Sequence, residues 1–243
     1  MFALYKKELA GFFSSLTGYI VIIVFLAASG VFMWIVPGQV NVLDTGYANI
    51  DTFFVLAPWV FMFLIPAITM RMLAEEVKSG TIELLMTKPI SDMSIIMSKY
   101  SAALTIAVIA IVPTFIYFLS VYLLGNPVGN IDIGGTWGSY IGLFFLAAIY
   151  VSIGIFASSL SDNQIVAFIL SVVLIFTLFY GIDALSLLFH GKSTEFFLQE
   201  FSINRHYLSI SRGVVDTRDL IYFAGVSFVF IMFTKFKLQS KRW

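Results

Sequence analysis

The chain has 243 residues, of which 60% are hydrophobic and only 12% charged, against about 25% charged in a soluble domain. Formal net charge is zero, so there is no excess of cations to displace counterions from a nucleic-acid backbone, and a nucleic-acid partner is excluded. The absence of cysteine removes disulfides, thiolate metal sites and a cysteine nucleophile. These properties predict an all-α integral membrane protein.

At the N-terminus, residues 1–13 set Phe2, Tyr5, Leu9 and Phe12 against Lys6, Lys7 and Ala10. That pattern suits an amphipathic helix on a membrane surface. A cleaved signal peptide is not expected, because the uncharged run continues from Leu9 to Leu43 and the leading segment contains Glu8. Runs long enough for the ~20 residues that a ~30 Å hydrocarbon core requires then predict six spans. They are placed at 16–36, 52–72, 100–124, 137–160, 164–187 and 219–238, the last with Lys235 snorkelling to the headgroups. Pro58, Pro66 and Pro113 lie within them, as lipid-embedded helices tolerate. Trp59, Trp137, Tyr140 and Tyr222 are expected at the interfaces.

Between the second and third spans lie residues 74–91, a segment rich in charge: Glu75, Glu76, Lys78, Glu83 and Lys88. Gly80 is the expected break and Thr81 the N-cap, with Glu83 in the first turn, where the helix dipole favours an acid, and Pro89 as the stop. Ile82, Leu85 and Met86 share one face at i, i+3, i+4 spacing, so this short helix carries an apolar side suited to docking. The alternative is a solvated turn.

Orientation follows from the basic residues. With both termini cytoplasmic, the inner segments hold ten (Lys6, Lys7, Arg71, Lys78, Lys88, Lys99, Lys235, Lys237, Lys241, Arg242) and the outer segments four (Lys192, Arg205, Arg212, Arg218). This asymmetry predicts a cytoplasmic Glu75 to Ser91 stretch. The outer loop at 188–218 alternates Phe196, Phe197, Phe201, Tyr207 and Leu208 with Glu195, Glu200, Arg205 and Arg212, as short helices on the outer leaflet would. Asp216 or Thr217 is placed to cap the last span.

The chemistry available is sparse. His190 and His206 are the only histidines and have no ligand-pair spacing, so they read as solvated loop residues and no metal or other cofactor is expected. The Glu75-Glu76 pair is reminiscent of membrane-embedded CAAX-type proteases, but the arginine that should follow is Gly80 here. A secondary transporter would need intramembrane acids or broken helices, and Asp183 is the one acid near a span. No Gly-x-x-x-x-Gly-Lys-Ser/Thr loop is present, so no ATPase activity of its own is expected.

The core Gly80-Thr81-Ile82-Glu83-Leu84-Leu85, preceded by Glu75-Glu76 and followed by Lys88-Pro89-Ile90, resembles the coupling segment of ABC-2-type transporter permeases. The tail Ser211-Arg212-Gly213-Val214-Val215-Asp216-Thr217-Arg218-Asp219-Leu220 resembles the same family. Along nearly the whole chain the likeness is to the gliding-motility-associated permease subunit, and nitrous-oxide-reductase maturation permeases share both motifs. The resemblance implies a surface helix followed by six spans, in a bacterial inner membrane. It also implies that Glu75, Glu76, Gly80, Thr81, Ile82, Glu83, Leu85, Met86 and Pro89 meet a separate cytoplasmic ATPase subunit. A second permease chain, identical or related, and an auxiliary subunit with an extracytoplasmic domain complete the implied assembly.

Overall fold

A computed structural model describes every residue except 39, 88–89, 190–192 and 241–243, together with the side chains of all but a few of them. Its elements are helical throughout. Helix α1 spans Phe2–Phe13 and α2 Leu16–Trp34, followed by the short α3 at Val42–Thr45 and the long α4 at Asp51–Lys78. A six-residue helix, α5 (Thr81–Met86), leads to α6 (Asp92–Ile111), a 3-10 turn at Val112–Thr114 and α7 (Phe115–Leu124). Helix α8 covers Ile133–Leu160 and α9 Gln164–Phe176, continued by a π turn at Thr177–Gly181 into α10 at Ile182–Leu187. Two short helices, α11 (Ser193–Gln199) and α12 (Ile203–Ile210), precede α13 at Thr217–Ser240.

Five helices or continuous helix pairs are long and apolar enough to cross a bilayer: Asp51–Lys78, Asp92–Leu124, Ile133–Leu160, Gln164–Leu187 and Thr217–Ser240. Phe2–Phe13 and Gly18–Trp34, which meet at 68°, bring the number to six. Each expected span therefore has a helical counterpart, but the ends differ. Helix α6 begins at Asp92 instead of 100 because Ser91 caps it, its side chain accepting from the Ser94 N–H at 3.3 Å. Helix α4 runs on through Glu75 and Glu76 to Lys78, since nothing before Ser79-Gly80 breaks it. Pro58 and Pro66 are both buried inside it.

The centre of the bundle is α8, 78% of whose most apolar stretch is buried. It packs chiefly on α4 and α13. A Cβ added to Gly154 would collide with the Thr69 side chain, whose own Cβ lies 3.0 Å from that position, so only glycine lets the two backbones come this close. One turn further on, Ser158 Oγ donates to Met70 O at 2.9 Å and accepts from the Leu73 and Ala74 N–H groups at 3.0 and 3.1 Å. That uses the one proton and both lone pairs of the hydroxyl. Tyr140, expected at an interface, is instead buried and bonds its hydroxyl to Thr114 O at 3.1 Å. Trp137 is the exposed aromatic of that turn.

The predicted short helices before the last span are present as α11 and α12. Phe196, Phe197 and Phe201 are exposed, while Tyr207 is buried and donates to Phe54 O at 2.7 Å, anchoring α12 to α4. Burial holds the Tyr207 phenol above its usual pKa. Asp216 caps α13 as expected, accepting from the Arg218 N–H at 2.9 Å. His206 is not solvated: Nδ1 lies 2.6 Å from Asp219, Nε2 lies 3.0 Å from Glu200 O, and the ring stacks on Tyr222 at 3.8 Å. His190 lies outside the described residues.

The close approach at Gly154 generates a stability prediction. Gly154→Val lowers the thermal stability of the detergent-purified chain by roughly 1–3 kcal/mol. Thr69→Ala in the same chain recovers part of that loss by removing the colliding side-chain atoms. A Gly154→Val chain that melts like the parent shows that the seam has slack.

Candidate functional site

The segment singled out in the sequence forms a corner at one end of the bundle. Helix α4 ends through Ser79, whose N–H reaches Glu75 O at 2.9 Å, and Gly80, whose N–H reaches Val77 O at 3.2 Å. Gly80 has φ 70°, a left-handed conformation in which a side chain is strained, and this residue reverses the chain into α5. Thr81 is the first helical residue and not the N-cap expected. Its hydroxyl lies 2.9 Å from the Ser79 hydroxyl and 3.4 Å from Glu76 O, tying the new helix back to the old one. Glu83 sits in the first turn of α5, exposed, and its carbonyl closes the last turn by accepting from the Thr87 N–H at 3.1 Å.

Ile82 is the largest departure from expectation. It is 7% exposed and packs within the chain's own apolar core, which holds α5 against the bundle. The residues that α5 and its approach turn outward are Ser79, Gly80, Thr81 and Glu83. Pro89, and the side chains of Leu85 and Met86, lie outside what the structure describes.

The two glutamates have separate fates because they lie one residue apart on a helix. Glu75 is exposed, whereas Glu76 is 8% exposed and turns inward. Its Oε2 lies 2.9 Å from Lys99 Nζ, and its Oε1 lies 3.4 Å from Lys7 Nζ. Lys99 is completely buried and has a second carboxylate, Glu8 Oε1, also at 2.9 Å. Two acids and two bases from α1, α4 and α6 thus meet behind the corner, with charges that balance.

Beside this cluster a cleft of about 350 Å³ opens between α1 and the end of α4, lined by Lys7, Glu8, Arg71, Glu75 and Thr81 among others. The Arg71 guanidinium stands 5.3 Å from the centre of the Phe12 ring, closing one wall. Sequence reasoning passes over Lys99 and Glu8, treating the first as a loop residue and the second as part of a surface helix. The available signal is Ser91-Asp92 before the apolar Met93, Ile95 and Ile96, a helix start that places Lys99 two turns inside α6. Among the described residues, no group of three or more histidine, aspartate and glutamate side chains converges as a metal site would require.

A family model described as ABC-2 family transporter protein matches residues 3–234. No curated protein matches the chain.

The buried cluster makes a specific demand on stability. Lys99→Met leaves Glu8 and Glu76 facing each other without their shared cation and costs about 3–5 kcal/mol. The triple change Lys99→Met, Glu8→Gln, Glu76→Gln removes all three charges and regains most of that loss. Thermal unfolding of the purified variants measures both effects, and equal stability of the single and triple variants contradicts a dry ion cluster.

Proposed function

The chain belongs to the ABC-2 family of transporter proteins, and on that premise we propose that it is the permease subunit that couples a separate cytoplasmic ATPase to export or mechanical work. The observation that carries this reading is the corner itself. A six-residue helix, α5, is held by Gly80 and Ile82 between two long apolar helices and offers an exposed polar edge. Force applied to such an element passes directly into α4, because only Ser79 and Gly80 separate α5 from it.

In this reading Glu75, Glu76, Gly80, Thr81, Ile82, Glu83, Leu85, Met86 and Pro89 form the coupling segment, with unequal parts. Thr81, Glu83 and Glu75 meet the ATPase. Gly80, Ile82 and Glu76 hold the segment in place from within. A second copy or a related permease chain completes the membrane path, and both termini face the cytoplasm of a bacterial inner membrane, as the distribution of basic residues supports. The likeness along nearly the whole chain, and not the two motifs, which nitrous-oxide-reductase maturation permeases share, is what favours the gliding-motility system as the setting, with an auxiliary subunit carrying an extracytoplasmic domain.

Two outcomes are expected. An ATPase carrying a phosphate loop co-purifies with the tagged chain from its native membrane, and Glu83→Arg or Thr81→Trp abolishes co-purification at matched membrane expression. Glu83 is exposed and among the described residues its side chain makes no tie within the corner, so Glu83→Arg leaves the fold unaffected. Thr81→Trp also removes the Thr81 hydroxyl bonds to Ser79 and Glu76 and is read beside Thr81→Ala, which removes the same bonds without adding bulk. Ile82→Asp destabilises the corner itself. Retained ATPase binding in the Glu83 and Thr81 variants would sink this assignment of the surface. For orientation, the cysteine-free chain accepts single reporters: Glu83→Cys is protected from an impermeant thiol reagent in intact cells and Arg218→Cys is labelled. The reverse pattern overturns the topology.

A further inference from the structure

We propose that Lys99 is a positioning residue that makes α1 a moving part of the coupling apparatus, fastening it to both helices from which α5 hangs. The inference rests on the coupling reading of α5 for its purpose, while the joint itself is a property of this chain alone.

Helix α1 touches α6 along one face. Ser98 Oγ, which donates to Ser94 O at 2.6 Å, also lies 3.0 Å from Met1 O, Tyr5 Oη lies 3.1 Å from Thr105 Oγ1, and Glu8 pairs with Lys99 at 2.9 Å. Tyr5 and Glu8, three apart in α1, share one helical face, and Met1, the residue before the helix, meets α6 through its carbonyl. The contacts at Met1 and Tyr5 link the start of the chain and α1 to α6 only. The bond at Glu8 reaches further, because the same ammonium is held at 2.9 Å by Glu76, four residues before Gly80. Lys7 adds a direct tie from α1 to Glu76 at 3.4 Å.

Burial makes this junction stiff. An exposed ion pair opens at little cost because water replaces the partner, but Lys99 has no exposed surface and Glu8 and Glu76 are only 15% and 11% exposed at their side chains. If Lys99 releases Glu8, that carboxylate, 15% exposed, loses its cation, whereas Glu76 keeps a second partner in Lys7. A displacement of the α4 end or of the α6 start must therefore carry Glu8, and α1 with it. The outward face of α1, with Phe2, Lys6, Lys7 and Ala10 exposed, then travels as the rim of the same lever.

The test uses the full chain with paired spin labels at Ala10→Cys on α1 and Lys78→Cys at the end of α4, read by pulsed dipolar spectroscopy. In the chain without ATPase, the parent gives one narrow distance. Glu8→Ala, which leaves the Lys99–Glu76 pair intact, broadens it, and Glu8→Asp, which keeps the charge, restores it. A narrow distance that persists in Glu8→Ala overturns the joint. With the ATPase bound and a non-hydrolysable nucleotide added, the Ala10 to Lys78 distance stays fixed, while a second pair, Lys78→Cys with Arg218→Cys, shifts. A nucleotide-dependent change between Ala10 and Lys78 overturns the lever. An unmoved Lys78 to Arg218 pair overturns the coupling reading instead, whatever the first arm has shown of the joint.

Discussion

The contact on which the rest of the bundle depends is the seam between α4 and α8. In hydrocarbon there is no hydrophobic gain in bringing two apolar helices together, so they associate through close packing and interhelical polar bonds. Gly154 against Thr69 supplies the first and Ser158 the second, one turn apart. Because α8 is largely enclosed, the remaining helices take their positions from this pair: α13 and α9 pack on α8, α9 and α2 on α4, and α12 is tethered by Tyr207 to Phe54. Helix α4 therefore serves two ends at once. Its middle is fixed in the core, and its last turn carries Glu76 and the Gly80 corner.

That division accounts for the unequal arrangement of charges at the corner. Neighbouring glutamates on a helix point about 100° apart, and here one faces outward and the other inward. The inner one is neutralised by Lys99 and Lys7, which lets α4 remain helical and packed as far as Lys78. The outer one, with Thr81 and Glu83, leaves a polar edge on a framework that does not bend beneath it. Exposed polar residues on a stiff support are what a partner subunit can push against.

The helical bundle is legible in the sequence because uncharged, apolar runs of about twenty residues match the thickness of a bilayer core and are too long for ordinary buried segments. The helix ends are not, and the reason is the same at each. Charges suggest span boundaries near Arg71 and at Lys99, yet α4 runs on past Arg71 to Lys78, and Lys99 pairs with Glu76 inside that extension. A rule that treats every charge as exposed fails where charges from distant segments meet. Tyr140 and His206 mislead in a related way: residue type assigns such amphipathic side chains to the surface, whereas each finds a bonding partner within the fold. Gly80 is legible as the break because its conformational role is local. Ile82 is legible as facing something apolar, but only the fold shows that this is the chain's own core.

The position of Lys99 along the chain also bears on how the protein is made. A lysine in the first third of the helical stretch Asp92–Leu124 is a poor passenger for membrane insertion unless acids are close by. Both of its counter-charges, Glu8 and Glu76, lie earlier in the sequence and have left the ribosome before Lys99 emerges. The nascent chain thus arrives at this step with its neutralising groups already synthesised, and α6 can take its place against α1 and α4 without waiting for the second half of the polypeptide.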